Sequence, residues 1–163
     1  MNRMEYIRSL AVEVGELEGL GLEYWIAPRP CSSLGQKKSG YNGYVVFPER
    51  PVKELGYEGL LTYVPVHGGI TLAEQTEDGR MVYGFDTLHH DSDSYPKDDK
   101  EWIKNQIRIM AEGIRLAASL EDEYLQAEGD NEKRAKIADR VGVLQPEQRM
   151  NFGVYIRLLR GEL

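Results

Sequence analysis

The residue types best suited to chemistry are concentrated in one window of this 163-residue chain. The window holds every histidine of the chain, a glycine pair and several carboxylates: His67, Gly68, Gly69, Asp86, His89, His90 and Asp91. Imidazole is the side chain whose unperturbed pKa lies nearest neutrality, and it is the commonest metal ligand. This stretch is therefore the predicted place of binding or catalysis, although it locates a site better than it names a reaction.

One interpretation of the window is a divalent metal site. Imidazole and carboxylate ligands together suit Zn, Mn or Fe and leave open positions for water. The candidate ligands are His67, Asp86, His89 and Asp91. The protein would then be a metal-dependent hydrolase of a phosphate-containing substrate. The spacing matches no tight signature such as His-Glu-x-x-His, so a metal cofactor is not the favoured interpretation.

The favoured interpretation is a non-enzymatic site for a small polar, nucleotide-like ligand. Glycines in a turn allow close approach of a ligand, and a glycine-rich basic loop offers N–H groups and cations to an anion. Residues 35–53 carry three glycines and a local excess of three positive charges; the part before the strand at 44–47 is either such a loop or simply a solvated flexible loop. The predicted ligand contacts are His67, Gly68, Gly69, Thr71, Asp86, His89, Lys37 and Lys38.

A structural interpretation of the same residues stays open. His67 would cap a turn, Asp86 would accept backbone N–H groups, and residues 89–93 would form a solvated polar loop. The function would then lie elsewhere, and the alternative we retain is a surface of the helical C-terminal third that binds a host protein.

Composition limits the possible partners. The formal net charge of −7 disfavours non-specific binding to nucleic acid or to an anionic membrane surface. No apolar run approaches the roughly 20 residues that span a bilayer, and the N-terminal residues do not read as a signal peptide. A single cysteine, Cys31, cannot form an internal disulfide, which fits a cytoplasmic protein. Dinucleotide-binding, P-loop and nucleophile-elbow motifs are missing from the sequence, which disfavours those enzyme classes.

The hydrophobic periodicity predicts an α+β fold in one domain, residues 1–163. Helices are predicted at 3–17, from Asp98 or Asp99 to about 120, at 131–141, and from Pro146 onward. Strands are predicted at 23–27, 44–47, 60–66, 70–73 and 80–85. We expect an antiparallel or mixed sheet of four to five strands, packed by the N-terminal and the long central helix. The broad apolar face of 102–120 gives a weak preference for a homo-oligomer.

Three segments resemble, in order, a family of small uncharacterised bacteriophage and prophage proteins. They are Tyr-Asn-Gly-Tyr-Val-Val-Phe-Pro at 41–48, Val-His-Gly-Gly-Ile-Thr at 66–71 and Gly-Phe-Asp-Thr-Leu-His-His-Asp at 84–91. The resemblance covers about residues 41–120. It implies that the shared polar positions are His67, Gly68, Gly69, Asp86 and His89. Relatives often carry cysteine where this chain has Asn42 and Thr87, so the resemblance supports no thiol mechanism here.

What the resemblance implies is origin more than activity. A phage product of this size acts in the cytoplasm of the infected or lysogenic bacterium, and many such accessory proteins neutralise host defences. Sequestering a nucleotide-derived immune signal is one way to do so, and it fits a Gly-Gly turn beside a basic loop. A shared fold alone does not establish a function.

Overall fold

The structure, a computed structural model, describes residues 2–29, 40–57, 59–87 and 95–142. The helices of this part of the chain are α1 (Arg3–Ser9), a 3-10 helix (Gly59–Tyr63), α2 (Lys100–Gln126) and α3 (Asn131–Gly142). Its strands are β1 (Glu13–Leu17), β2 (Leu22–Pro28), β3 (Tyr41–Phe47), β4 (Leu72–Gln75) and β5 (Met81–Phe85). None of these helices is long and apolar enough to cross a membrane.

The five strands form one sheet in the order β1-β2-β3-β5-β4, and every neighbouring pair is antiparallel. The predicted α+β class is confirmed. The end of β2 and the start of β3 lie at the same end of this sheet, because Pro28 pairs with Tyr41. The segments after β5 and before β4 lie at that end as well, since Ala27 pairs with Asn42 and Leu72 pairs with Gly84.

The larger hydrophobic core lies between the sheet and α2. Alternation along the strands turns Tyr24, Ile26, Val45, Tyr83 and Phe85 toward this side, where they are buried. The facing stripe of α2, at the helical spacing predicted from the sequence, consists of Ile103, Ile107, Met110 and Ile114, all completely buried. Burying one such side chain stabilises the fold by about 1.5–3 kcal/mol. This side of the sheet is therefore the rigid support of the molecule.

The other face of the sheet carries a smaller core under α1. Its buried members are Met4, Trp25, Ala27, Tyr44, Val46 and Val82. The covering helix has only 7 residues, about two turns, and spans about 10 Å at 1.5 Å per residue. It therefore covers only part of this face.

Polar contacts fasten α1 to the sheet. Asn2 and Glu5 form a reciprocal capping box at its N-terminus. The Arg3 guanidinium lies 2.5 Å from Glu74 on β4, and Arg8 lies 3.2 Å from Glu23 on β2.

The pKa of Glu23, the β2 residue that pairs with Arg8 of α1, is shifted. Burial raises the pKa of its carboxyl group, but hydrogen bonds from Trp25 and Arg8 outweigh burial, together with the charges of Arg8 and Arg80. The net effect lowers its pKa below the usual 4.5, so the ionised form is favoured in the folded protein.

Asp99 is the N-cap of the long central helix: its side chain accepts hydrogen bonds from the backbone N–H groups of Glu101 and Trp102. It is one of the two residues that the sequence predicted for this cap. The helix continues to Gln126, beyond the predicted end near 120. The helix predicted at 131–141 is present as α3, and the helix predicted from Pro146 lies outside the described residues.

Two predicted elements are wrong. The helix predicted over 3–17 ends at Ser9, and Glu13–Leu17 forms the edge strand β1 instead. Pairing with β2 overrides the helical periodicity, and Gly15 suits the strand because a Cβ there would lie 2.9 Å from the Tyr24 ring. The strand predicted over 60–66 contains a 3-10 helix at Gly59–Tyr63. Apart from the half-buried Thr62, residues 60–66 are apolar and buried, a pattern that periodicity alone cannot assign to helix or strand.

Candidate functional site

A cavity of about 510 Å³ lies between α1 and the sheet, beside the small core. Side chains of α1 form one wall and the ends of β2, β3, β4 and β5 form the other. Small-molecule sites are typically concave, mostly apolar and 300–1,000 Å³ in volume. The volume of this cavity therefore lies within the range of small-molecule sites.

A strand position without a side chain lets the Tyr44 ring, part of the cavity lining, pack close to the sheet. Gly84 on β5 pairs with Tyr44 on β3 and with Leu72 on β4, and alternation turns its missing side chain toward α1. A Cβ at Gly84 would lie 2.7 Å from Tyr44 Cδ1, so the tyrosine ring lies across the glycine backbone. Glycine inside a strand often marks a close approach of this kind. Ala27 on β2 adds a second small side chain to the lining.

The polar groups of the lining gather toward one end of the sheet. They are Arg3, Asn42, Tyr44, Thr71 and Asp86. Asp86 directly follows β5 and is two residues beyond Gly84, so alternation places both on the α1 side. Asn42 is buried, and its Oδ1 atom accepts from the Thr87 backbone N–H at 3.3 Å.

The pKa of the Tyr44 hydroxyl group is shifted by burial and by the polar groups of this wall. Burial raises its pKa, and the negative charge of Asp86 acts in the same direction. A hydrogen bond from Asn42 and the positive charge of Arg3 act in the opposite direction, and the net effect is a raised pKa. Tyr44 therefore stays a neutral phenol near pH 7, able to donate and to accept a hydrogen bond.

The outer edge of the cavity is apolar and exposed. Tyr6 and Leu10, both lining residues on the α1 side, keep 56% and 46% of their surface accessible. Exposed apolar groups that continue into a cavity are typical of a binding site.

His67 lies away from this cavity, in contact with residues of α2. Its ring packs against Tyr95, with 3.9 Å between ring centroids, and against Trp102 on α2 at 5.4 Å. Its backbone N–H donates to the Oε1 atom of buried Gln106, also on α2, at 3.0 Å. The following turn uses positive φ values at Gly68 and Gly69, as the glycine pair suggests. These contacts place His67 on the α2 side of the molecule.

Thr87, which follows Asp86, takes part in three hydrogen bonds through its carbonyl and hydroxyl groups. The carbonyl oxygen of Thr87 accepts from the Tyr95 hydroxyl at 2.8 Å and from Arg29 Nη1 at 3.0 Å. The Thr87 hydroxyl in turn donates to the backbone oxygen of Tyr41 at 3.0 Å. Thr87 and Tyr95 are thus hydrogen-bonded to each other, and Thr87 directly follows the cavity-lining Asp86.

The predicted site residues therefore have three outcomes. Thr71 and Asp86 line the cavity. His67, Gly68 and Gly69 are not among the described residues that line it. The remaining predicted contacts and ligands lie outside the described residues: Lys37, Lys38, His89 and Asp91. Across 2–29, 40–57, 59–87 and 95–142, no group of three or more His, Cys, Asp or Glu side chains is placed to hold a metal ion.

Sequence reasoning missed most of the lining. Arg3 and Tyr6 come from a helix far away in the sequence, and no local pattern predicts that α1 lies over this end of the sheet. Gly84 was the one sequence signal for this lining, because a glycine among the β-branched and aromatic residues of a strand indicates that another group packs closely against its backbone.

No protein-family model, no curated protein and no solved structure matches this chain.

Proposed function

We propose that this protein binds a small polar, nucleotide-like ligand in the cavity between α1 and the sheet, without transforming it. The observation that carries the proposal is the combination of an apolar cavity of about 510 Å³ with polar groups along one wall. Such sites bury the ligand by the hydrophobic effect and orient it through a few hydrogen bonds.

The composition of the polar wall supports binding. It offers an amide, a phenol, a hydroxyl, a carboxylate and a guanidinium group, from Asn42, Tyr44, Thr71, Asp86 and Arg3. These groups donate and accept hydrogen bonds in several directions, which suits a ligand with both donors and acceptors on its edges. A nucleotide is such a ligand, with an apolar ring, a polar ring edge and an anionic end.

The biological role that we propose follows from the resemblance to phage proteins. A phage product that holds a nucleotide-derived signal would lower the free concentration of that signal in the infected bacterium. The protein would then act as a counter-defence factor by sequestration. This role requires tight binding and a cellular concentration at least equal to that of the signal, but it requires no catalytic group.

The proposal is tested by ligand release and by thermal stabilisation. Protein purified from bacteria is denatured, and the released small molecules are identified by mass spectrometry. The purified protein is then titrated with a panel of nucleotides. A ligand at 100 times its Kd stabilises the fold by about 2.7 kcal/mol, which corresponds to a rise in Tm of roughly 5–11 °C for a chain of this size.

The site assignment has its own controls. Asp86→Ala should reduce the ligand-induced rise in Tm, because it removes a polar group of the cavity wall. His67→Ala should leave that rise unchanged, with each variant measured against its own ligand-free Tm. If no nucleotide raises the Tm and denaturation releases no small molecule, the proposal is wrong. Conversion of the added ligand to a product would show catalysis in place of binding.

A further inference from the structure

Strand β1 lies at the edge of the sheet, so one side of its backbone has no neighbouring strand among the described residues. The sheet order places it beside β2 alone. An edge strand presents a row of unpaired N–H and C=O groups, which can pair with another extended chain. With five residues, Glu13–Leu17, β1 has the usual length of a paired strand.

Exposed apolar side chains are concentrated beside this edge. The described part of the chain has six large hydrophobic residues that are exposed, and four of them lie within residues 6–14. They are Tyr6, Leu10, Val12 and Val14. Val14 pairs with Trp25, which is buried under α1, so its side chain lies on the α1 face of the sheet. Proteins usually protect an edge with charged side chains, so exposed valines beside one indicate a contact surface.

Glu16 adds a negative charge to the same face of β1. It lies directly across the strands from Glu23, and like charges in opposite positions destabilise a sheet. Glu23 is compensated by Arg8 at 3.2 Å and by Arg80 at 4.0 Å. Glu16 is exposed and forms no ion pair within the described part of the chain. A partner that brings a cation to Glu16 would therefore relieve the repulsion.

A second copy of this chain does not supply that cation. Two antiparallel copies with their α1 faces on the same side pair most of β1 when the pairing is centred on Val14 or on Gly15. The first arrangement sets the two Glu13 side chains diagonally across the strands, and the second does so with the two Glu16 side chains, at about 7–8 Å. The net charge of −7 on each copy adds to this repulsion. The charges of the edge therefore fit a basic partner.

We propose that β1 binds an extended, basic segment of another protein, which adds a strand to the five-stranded sheet. The segment runs antiparallel to β1, as all neighbouring strands of this sheet do. An apolar residue of the segment lies opposite Val14, and a lysine or arginine two residues earlier lies opposite Glu16. In this mode of recognition main-chain hydrogen bonds supply affinity and alternate side chains supply specificity.

Fluorescence anisotropy with labelled peptides tests the inference on the native chain. The basic probe is Lys-Thr-Lys-Thr-Val-Thr-Val, and the acidic probe has glutamate in place of both lysines. A third probe is the basic peptide with N-methyl groups at its fourth and fifth residues, which keeps every side chain but removes an N–H on each side of the strand. The basic probe should bind saturably, and the other two should bind about tenfold more weakly or worse.

Charge reversal on the protein identifies the surface that binds. Glu16→Lys should weaken binding of the basic probe by about fivefold to thirtyfold, because a favourable cross-strand pair becomes a pair of like charges. Glu77→Lys is the matched control, since it makes the same change of charge at an exposed position of the β4–β5 turn, toward the other edge of the sheet. It should leave the affinity close to native. Circular dichroism confirms that both variants are folded.

Three results would overturn the inference: no binding of the basic probe, equal binding of all three probes, or equal weakening by the two substitutions. Light scattering of the native chain adds a fourth, because self-association that Glu16→Lys changes and Glu77→Lys does not would show a second copy at this edge. The proposed nucleotide function would stand in each case, because no described residue of β1 lines the cavity and the probes contain no nucleotide.

Discussion

Replacing Gly84 by alanine should close the cavity from its sheet side. The added Cβ would lie 2.7 Å from Cδ1 and 2.9 Å from Cε1 of Tyr44. Carbon atoms normally approach to about 3.5–4.0 Å, so the ring must move by roughly 1 Å. The ring is buried and packs against Trp25, with 5.9 Å between centroids, which limits its movement within the sheet. Overpacking of this kind costs about 1–3 kcal/mol, and the easiest displacement carries the ring into the cavity.

The measurements are denaturant unfolding and ligand titration, with Gly113→Ala as the matched control. A Cβ at Gly113 on α2 would also lie 2.7 Å from a side-chain carbon, here Cγ1 of Val64. Gly113 does not line the cavity. Both variants should be destabilised, Gly113→Ala less because alanine favours the helix by about 1 kcal/mol. Gly84→Ala alone should lose ligand affinity, by about tenfold or more. If Gly84→Ala keeps native stability and native affinity, the proposed packing of Tyr44 over Gly84 is refuted.

Two further predictions concern stability. Glu23→Gln should destabilise the protein by up to about 1 kcal/mol at neutral pH, because the partly exposed carboxylate is stabilised in its ionised form. Since the folded-state pKa lies below 4.5, this difference from the native chain should shrink as the pH falls below 4.5, and a constant difference in urea unfolding down to pH 2 would contradict it. Tyr83→Phe should be neutral or stabilising by up to about 1 kcal/mol, because within the described part of the chain the buried Tyr83 hydroxyl has no hydrogen-bond partner. A loss of more than 1 kcal/mol in thermal unfolding of Tyr83→Phe would show that its hydroxyl has a partner.

The fold was predictable wherever one periodicity dominated. The apolar stripe of α2 and its Asp99 cap are both visible in the sequence. Asp78-Gly79, a typical hairpin sequence, lies between the antiparallel strands β4 and β5, both of which the sequence predicted with slightly different bounds. By contrast, residues 3–17 satisfy a helical pattern apart from Gly15, and only pairing with β2 decides between helix and strand for Glu13–Leu17.

The candidate site was less predictable because its walls come from distant parts of the chain. The sequence window contained Thr71 and Asp86, which line the cavity. It also contained His67, whose ring packs on the α2 side against Tyr95. His67 lies in the turn before β4, so the side on which its ring packs depends on tertiary contacts with α2 that the local sequence does not specify. The α1 wall depends on how a short helix docks, for which local sequence gives no rule.

Chemical-shift mapping of backbone amides during a nucleotide titration tests the central claim most directly. We predict that the largest changes occur at Ala27, Tyr44, Gly84 and Asp86, with α1 residues following, because these groups surround the cavity. Changes confined to the neighbourhood of His67, or no changes at saturating nucleotide, would contradict a ligand site between α1 and the sheet.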